Sequence, residues 1–385
     1  MVNIFKVFLL LGLMSFGGPA AHIGYFRNAF VKKRAWLSDS EFAQIVALSQ
    51  FLPGPASSQV GFAIGYKKGG LGGALAAFIG FTLPSVLLML LLAYASTGLT
   101  GSTWFEGVIH GLKLLAVVVV ADATMGMFTS FCNKRLGVLL CTLTAVVLMV
   151  FPSLFSQLVM LLLAALIGAR YMPSLAPEAS TASSISKWPL VIFFGLLLGL
   201  PTISALGWVN NQGLVGLFYD FFQAGTMVFG GGHVVLPLLQ NIVGEQLSSD
   251  TFLTGYAAAQ AVPGPMFTFA TFLGFELFDK APILGALTAT VAIFAPGFLL
   301  LLGVLNHWHA LAGSKYLSGA IKGVNASVVG LLLAALYQPV FVTAVHSSID
   351  MAMVVAGLFL LKTERAPILV MVAIFIGFGI AGSAW

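Results

Sequence analysis

Long apolar runs, interrupted by short clusters of glycine, proline and small polar residues, set the pattern of this chain. Stretches such as 71–97 and 105–128 are too continuous for alternating barrel strands, so they predict membrane-spanning helices. Two stretches break the pattern in one way. "ALSQFLPGPASSQVGFAIGY" (47–66) and "AAAQAVPGPMFTFATFLGFE" (257–276) each hold a Pro-Gly-Pro triplet inside apolar sequence, with a glutamine three residues upstream, Gln50 and Gln260. A helix entering either triplet must stop and restart.

The breaks belong to an internal repeat. "SFGGPAAHIGYF" (15–26) matches "VFGGGHVVLPLL" (228–239), and "GFTLPSVLLMLLL" (80–92) matches "AIFAPGFLLLLGV" (292–304). "FEGVIHGLKLLAVVVVA" (105–121) matches "LSGAIKGVNASVVGLLL" (317–333), both with Gly-x-x-x-Gly. The landmarks keep their order at an offset near 210–213. The chain therefore reads as a first repeat over 1–170 and a second over 213–385. The linker 171–212 contains a Ser/Pro/Ala-rich loop (172–187) and an extra apolar segment (188–207). Repeats of this kind characterise transporters.

Charge orients the halves. Suppose each FGG and each PGP segment is the tip of a re-entrant hairpin, over about 4–33 and 38–66 in the first half. Crossings at 71–97, 105–128, 136–151, 154–169 and 188–207 then make an odd number, and the repeats are inverted. One side collects Lys6, Arg27, Lys32, Lys33, Arg34, Lys67, Lys68, Lys134, Arg135, Arg170, Lys187, Lys315, Lys362 and Arg365, with Lys322 near it. The other receives Lys280, beside Asp279. The positive-inside rule makes the first side cytoplasmic, with the N-terminus inside and the C-terminus external. The fold expected is an all-α polytopic membrane protein: two homologous halves as an inverted repeat, each with two re-entrant or broken helical hairpins plus transmembrane helices. The total is nine spans and four hairpins.

Irregular backbone at membrane depth must be buried in protein or line a cavity. A half-helix starting there presents free N–H groups and the positive end of its dipole, which suits an anion. Pro19, Pro55 and Pro265 are expected in the first helical turn after each break. Gly17, Gly18, Gly54, Gly230, Gly231, Gly232 and Gly264 let the backbone turn and approach a ligand, beside Pro53 and Pro263. Ser57, Ser58, Gln59 and Thr268 add neutral donors. The alternative is that these are tight turns between packed helices.

Ionisable residues inside spans are few. Lys113 lies near mid-membrane in 105–128, opposite Asn325 of the second repeat, and is a candidate to neutralise an anion. Its alternative is pairing with a buried acid, such as Asp122 of a neighbour. Asp122 is also a candidate carrier of a coupling proton. His22 and His233 follow the FGG tips as donors to an oxyanion, or as packed histidines. Glu276 is expected near the interface. "HWH" (307–309) reads as an interfacial anchor rather than a metal site, and 27–42 as a basic connector at the lipid headgroups, with Ser38 capping a helix.

Composition supports the membrane reading. Of 385 residues, 59% are hydrophobic and 8% charged, against about 25% charged in soluble domains. Mean hydropathy is +1.03. The basic excess reports topology and implies no nucleic acid. Residues 1–21 imitate a signal peptide, but the same pattern returns in mid-chain and is read as retained. Cys132 and Cys141 read as free thiols. No Walker loop, zinc motif or nucleophile elbow occurs, so neither an enzyme nor a cofactor is expected. The Gly-x-x-x-Gly pairs, Gly107/Gly111 and Gly319/Gly323, pack helices within one chain or between the chains of a homodimer.

"SFGGPAAHI", "LPGPASSQVGFAIGY", "VFGGGHVVLPLL" and "AVPGPMFTFATFLG" resemble the signature segments of the chromate transporter family in its two-domain form. The resemblance covers nearly the whole chain outside about 171–212. It implies a prokaryotic cytoplasmic-membrane protein, chromate efflux and resistance, and sulfate as a related oxyanion. It implies oppositely oriented domains. It carries over to Phe16, Gly17, Gly18 and Pro19; to Pro53, Gly54 and Pro55; to Phe229, Gly230, Gly231 and Gly232; and to Pro263, Gly264 and Pro265. Gly232 stands where the first repeat has Pro19, so the two tips are not equivalent. The expected function is secondary export of a tetrahedral divalent oxyanion by alternating access. Transport of sulfate or another anion, and an anion channel, stay open.

Overall fold

Helices end where the glycine and proline breaks fall. The computed structural model describes all residues except 17, 100–101, 173–186, 207–212, 230–231, 244–245, 306–314, 365 and 383–385. Among the described residues there are helices and no strands. The first half contains α1 (Val2–Met14), α2 (Gly18–Phe26, continued by a π-helical turn Arg27–Lys33), α3 (Asp39–Phe51), α4 (Ala56–Leu99), α5 (Thr103–Phe131), α6 (Arg135–Val150) and α7 (Leu154–Tyr171). The linker supplies α8 (Lys187–Ala205). The second half contains α9 (Leu214–Met227), α10 (Val235–Val243), α11 (Ser249–Ala261), α12 (Phe269–Leu277) and α13 (Pro282–Val304). It closes with α14 (Lys315–Ala335), α15 (Ser348–Lys362) and α16 (Ile368–Gly382). The HWH segment lies outside the described residues.

Each break folds the chain back on itself. Phe8 of α1 stacks on Phe30 at 4.8 Å and meets Phe26 edge-on at 5.7 Å, so the segment after the FGG break returns along α1. Ser38 caps α3 in a capping box with Glu41, and Glu41 also bonds Lys67 at 3.1 Å. The start of α3 thus meets the residues that follow the PGP break. In the second half Ser248 caps α11, and Phe252 and Tyr256 pack edge-on against Phe269 beyond the break. The arms α1, α3 and α11 have 13 residues each, and α9 has 14. Thirteen residues of helix measure about 20 Å, against about 30 Å of hydrocarbon.

α4 is not one rod. Its backbone leaves helical geometry at Gly69 and Gly70. A Cβ at Gly65 would overlap the carbonyl oxygen of Gly73 and lie 2.7 Å from Cβ of Ala77, a contact impossible along a straight helix. The chain therefore doubles back there. The second half repeats this turn, with Gly274 against Gly285 and Ala289.

Among the described residues five helical stretches are long and apolar enough to cross a membrane: 56–96, which turns back at Gly69 and Gly70, and 103–131, 154–171, 282–304 and 315–344. α6 and α16 are apolar but shorter. With 16 residues, α6 reaches about 24 Å. The expected crossing 136–151 matches α6 almost residue for residue, and is as short as the helix itself.

The halves exchange helices. α5 packs against α15 and α16 of the second half, and α14 packs against α6 and α7 of the first. Both Gly-x-x-x-Gly pairs are used here. Gly107 and Gly111 lie against Gly379 and Phe375 of α16, while Gly319 and Gly323 lie against Gly168 and Ala164 of α7. The backbones are so close that a Cβ at Gly111 or Gly323 would overlap a carbonyl oxygen across the crossing. Small residues at this spacing permit such approach. We expect Gly111→Leu and Gly323→Leu each to cost about 3 kcal/mol or more and to lose the monodisperse protein. Gly126→Leu on α5, where nothing lies within 4 Å of a Cβ, should keep it. Thermal unfolding in detergent reads the difference.

Candidate functional site

Backbone hydrogen bonds between the halves join the four breaks in two pairs. The N–H of Gly54, in the first PGP triplet, donates to the carbonyl of Val228 at 2.8 Å. The N–H of Gly264, in the second, donates to the carbonyl of Ser15 at 2.8 Å. Ser15 and Val228 each directly precede the Phe-Gly-Gly of their own half. Every PGP tip is thus docked on the FGG tip of the opposite repeat. Both glycines have positive φ, +117° at Gly54 and +103° at Gly264, which side-chain-bearing residues rarely adopt.

The departure from the repeat at Gly232 has a steric reason. A Cβ there would lie 3.1 Å from Cε of Met266 and 3.4 Å from Cγ of Pro19, its equivalent in the first repeat. The two equivalent positions face each other, and one proline ring already occupies the space. Gly18, at φ +75°, has no atom of the described residues within 4 Å of an added Cβ. Pro19 lies in the first turn of α2, as expected. Pro55 and Pro265 do not lie in the first turn: each sits just before it. Pro55 accepts from the N–H of Gln59 at 2.9 Å, and Pro265 is the N-cap of the single turn Met266–Thr268. A triplet turned by a left-handed glycine places its second proline one residue early.

The polar side chains divide into committed and free. His22 is buried, with Nε2 3.2 Å from the Ser15 carbonyl and Nδ1 3.2 Å from Oγ of Ser57. A carbonyl only accepts, so Nε2 carries the proton and Ser57 donates to Nδ1. Thr268 donates to the Pro265 carbonyl at 2.9 Å, and Gln59 Nε2 to the carbonyls of Pro53 and Gly297 at 3.0 Å each. These groups shape the tips and keep few protons to offer. In contrast, the hydroxyls of Ser15, Ser58 and Thr82 are buried without a partner. Each such group costs about 1–3 kcal/mol when left unsatisfied. Ser15 abuts the Gly264 bond. Ser58 is on the first turn after PGP, and Thr82 accepts at its carbonyl from Ser85, whose Oγ would lie 2.9 Å from a Cβ at Gly264. Ser15 and Thr82 are absent from a sequence-based choice of donors, although both fall inside the repeated landmarks.

Other candidates lie elsewhere. Lys113 is buried and bonded to Asp250 at the start of α11, not to Asp122. Asp122 pairs with Lys362 at 2.6 Å. Asn325 is buried with Oδ1 unpartnered. Glu276 is half-buried in the cavity that Lys113 lines, 3.4 Å from Ser96. Gly17, Gly230, Gly231 and the side chain of His233 lie outside the described residues.

The sequence profile described as chromate transporter matches residues 2–169 and again residues 215–382. The chain belongs to the chromate transporter family. It is 30% identical to a chromate transport protein of Pseudomonas aeruginosa, over 99% of this chain and 91% of that one. It is 28% identical to a chromate transport protein of Cupriavidus metallidurans, over 96% and 90%. It is 26% identical to an uncharacterized transporter of Methanocaldococcus jannaschii, over 98% and 94%. No solved structure matches the chain. Members of the family are transporters rather than enzymes, and with its apolar helices this one is a multi-pass membrane protein.

The two tip glycines differ in what an added methyl meets. At Gly54 the nearest atom is backbone, Cα of Gly297 at 2.9 Å; at Gly264 it is the rotatable Oγ of Ser85 at 2.9 Å. Gly54→Ala should therefore lower the unfolding midpoint more than Gly264→Ala, by about 1 kcal/mol of added cost.

Proposed function

We propose that this protein is a secondary transporter exporting chromate, a tetrahedral divalent oxyanion, across the cytoplasmic membrane by alternating access, and that it confers chromate resistance. The observation that carries the reading is the meeting of the four tips beside three buried, unpartnered hydroxyls, Ser15, Ser58 and Thr82. In this reading the anion binds between the tips. Pro19, Gly18, Gly54 and Gly264 shape the cradle, with Gly17, Gly230, Gly231, Gly232, His233, Pro53, Pro55, Pro263, Pro265 and Thr268 around it. Neutral donors suit a doubly charged ion that must also leave. His22 and Ser57 hold one tip in register. A dianion leaving a cell negative inside gains roughly 2.3 kcal/mol per charge per 100 mV, so the membrane potential alone drives export. Asp122 pairs with Lys362, and this potential-driven reading assigns it no coupling role.

The two repeats, 1–170 and 213–385, act as inverted units joined by 171–212. Reciprocal docking supports a local two-fold relation, and the one-sided Lys/Arg distribution supports its lying in the membrane plane. The short arms support re-entrant hairpins, with the N-terminus cytoplasmic and the C-terminus external.

Two experiments test this. In proteoliposomes, chromate flux should saturate, follow an imposed potential and be competed by sulfate. Ser58→Ala should cut kcat/KM about tenfold, on the scale of one lost hydrogen bond to a charged group. Absence of chromate flux, with another anion moving, removes the substrate assignment. In a Cys132→Ser/Cys141→Ser background, single cysteines at Lys68 and Lys280 occupy corresponding turns of the two repeats. Lys68→Cys should label only from the cytoplasm and Lys280→Cys only from outside. Labelling from one common side contradicts the inversion.

A further inference from the structure

Away from the tips, α5 and the base of the α11–α12 hairpin enclose a cavity of about 480 Å³. One face of α5 supplies Glu106, His110 and Lys113 to it, at positions i, i+4 and i+7. The Lys113 side chain is only 7% exposed, whereas that of its partner Asp250 is 69% exposed. A buried ammonium needs a counter-charge. Here that charge comes from a carboxylate that water already reaches, so Asp250 loses little by turning outward. An entering dianion would take over the buried cation. α11 carries Asp250 in its first turn and ends at the second PGP triplet, so one helix links this cavity to the tips.

The surroundings favour passage over storage. Glu276 from α12 and Glu106 from α5 face the same space, and His110 is held by Asp350 at 2.8 Å beside His346. These carboxylates oppose retention of a dianion. The pair is also one-sided: at the repeat offset, Asn325 stands for Lys113 and Ser40 for Asp250.

We propose that Lys113 is a transit subsite for the oxyanion at the mouth of the second PGP hairpin, and that Asp250 is a tethered competitor which the oxyanion displaces. This rests on the oxyanion reading above. The test is equilibrium binding of labelled chromate and labelled sulfate to the full chain in nanodiscs, alongside flux in proteoliposomes. Asp250→Asn and Asp250→Ser, the latter using the residue of the other repeat, should tighten binding roughly tenfold at low salt, on the scale of one near-surface charge pair. The gain should vanish in a Lys113→Gln background. A size-exclusion profile selects whichever Asp250 variant folds as the wild type does. Binding unchanged or weakened in that variant, while the wild type binds and transports, overturns the competitor role alone. A wild type that neither binds nor transports either anion overturns the substrate class itself, and the subsite with it.

Discussion

A peptide N–H released from a helix inside a membrane has no water to bond, and the architecture depends on where those N–H groups go. At Gly54 and Gly264 they go to the opposite half, to the carbonyls of Val228 and Ser15. Two backbone bonds thereby join the four breaks in two pairs, and Pro19 against Gly232 brings the pairs together. Neither repeat supplies its own acceptor, so neither tip is complete alone. Glycine is required because the docking conformation has positive φ, and the prolines on either side fix the entry and exit of the turn. Local chain chemistry and long-range assembly are thus one constraint.

The same dependence appears outside the junction. α5 and α14 leave their own halves and pack on α16 and α7, with glycine allowing near-contact of backbones. α8, which lies between the two matched regions, packs on α13 and α9 of the second half.

Much of this was legible because glycine and proline act locally. The four breaks and the repeat follow from residue types at fixed spacing, and Ser38 announces its helix by capping chemistry. What was not legible is carried by groups that side-chain identity does not reveal. The acceptors for Gly54 and Gly264 are backbone carbonyls, which every residue has. The partner of Lys113 lies 137 positions away; helical spacing sets Asp122 on the opposite face of α5, but nothing in the sequence points to Asp250. Ser57 and Thr268 were attractive donors by position, yet both are consumed locally, while Ser15 and Thr82 stay free for reasons of packing.

The central claim is that an oxyanion binds where the tips meet. Diffraction from chromate-soaked crystals at the chromium absorption edge locates the metal directly. The account predicts the strongest anomalous peak between the tips, within hydrogen-bond reach of the Ser15 and Ser58 hydroxyls. A peak at another place in a fully occupied crystal, with those hydroxyls still unpartnered, would contradict it.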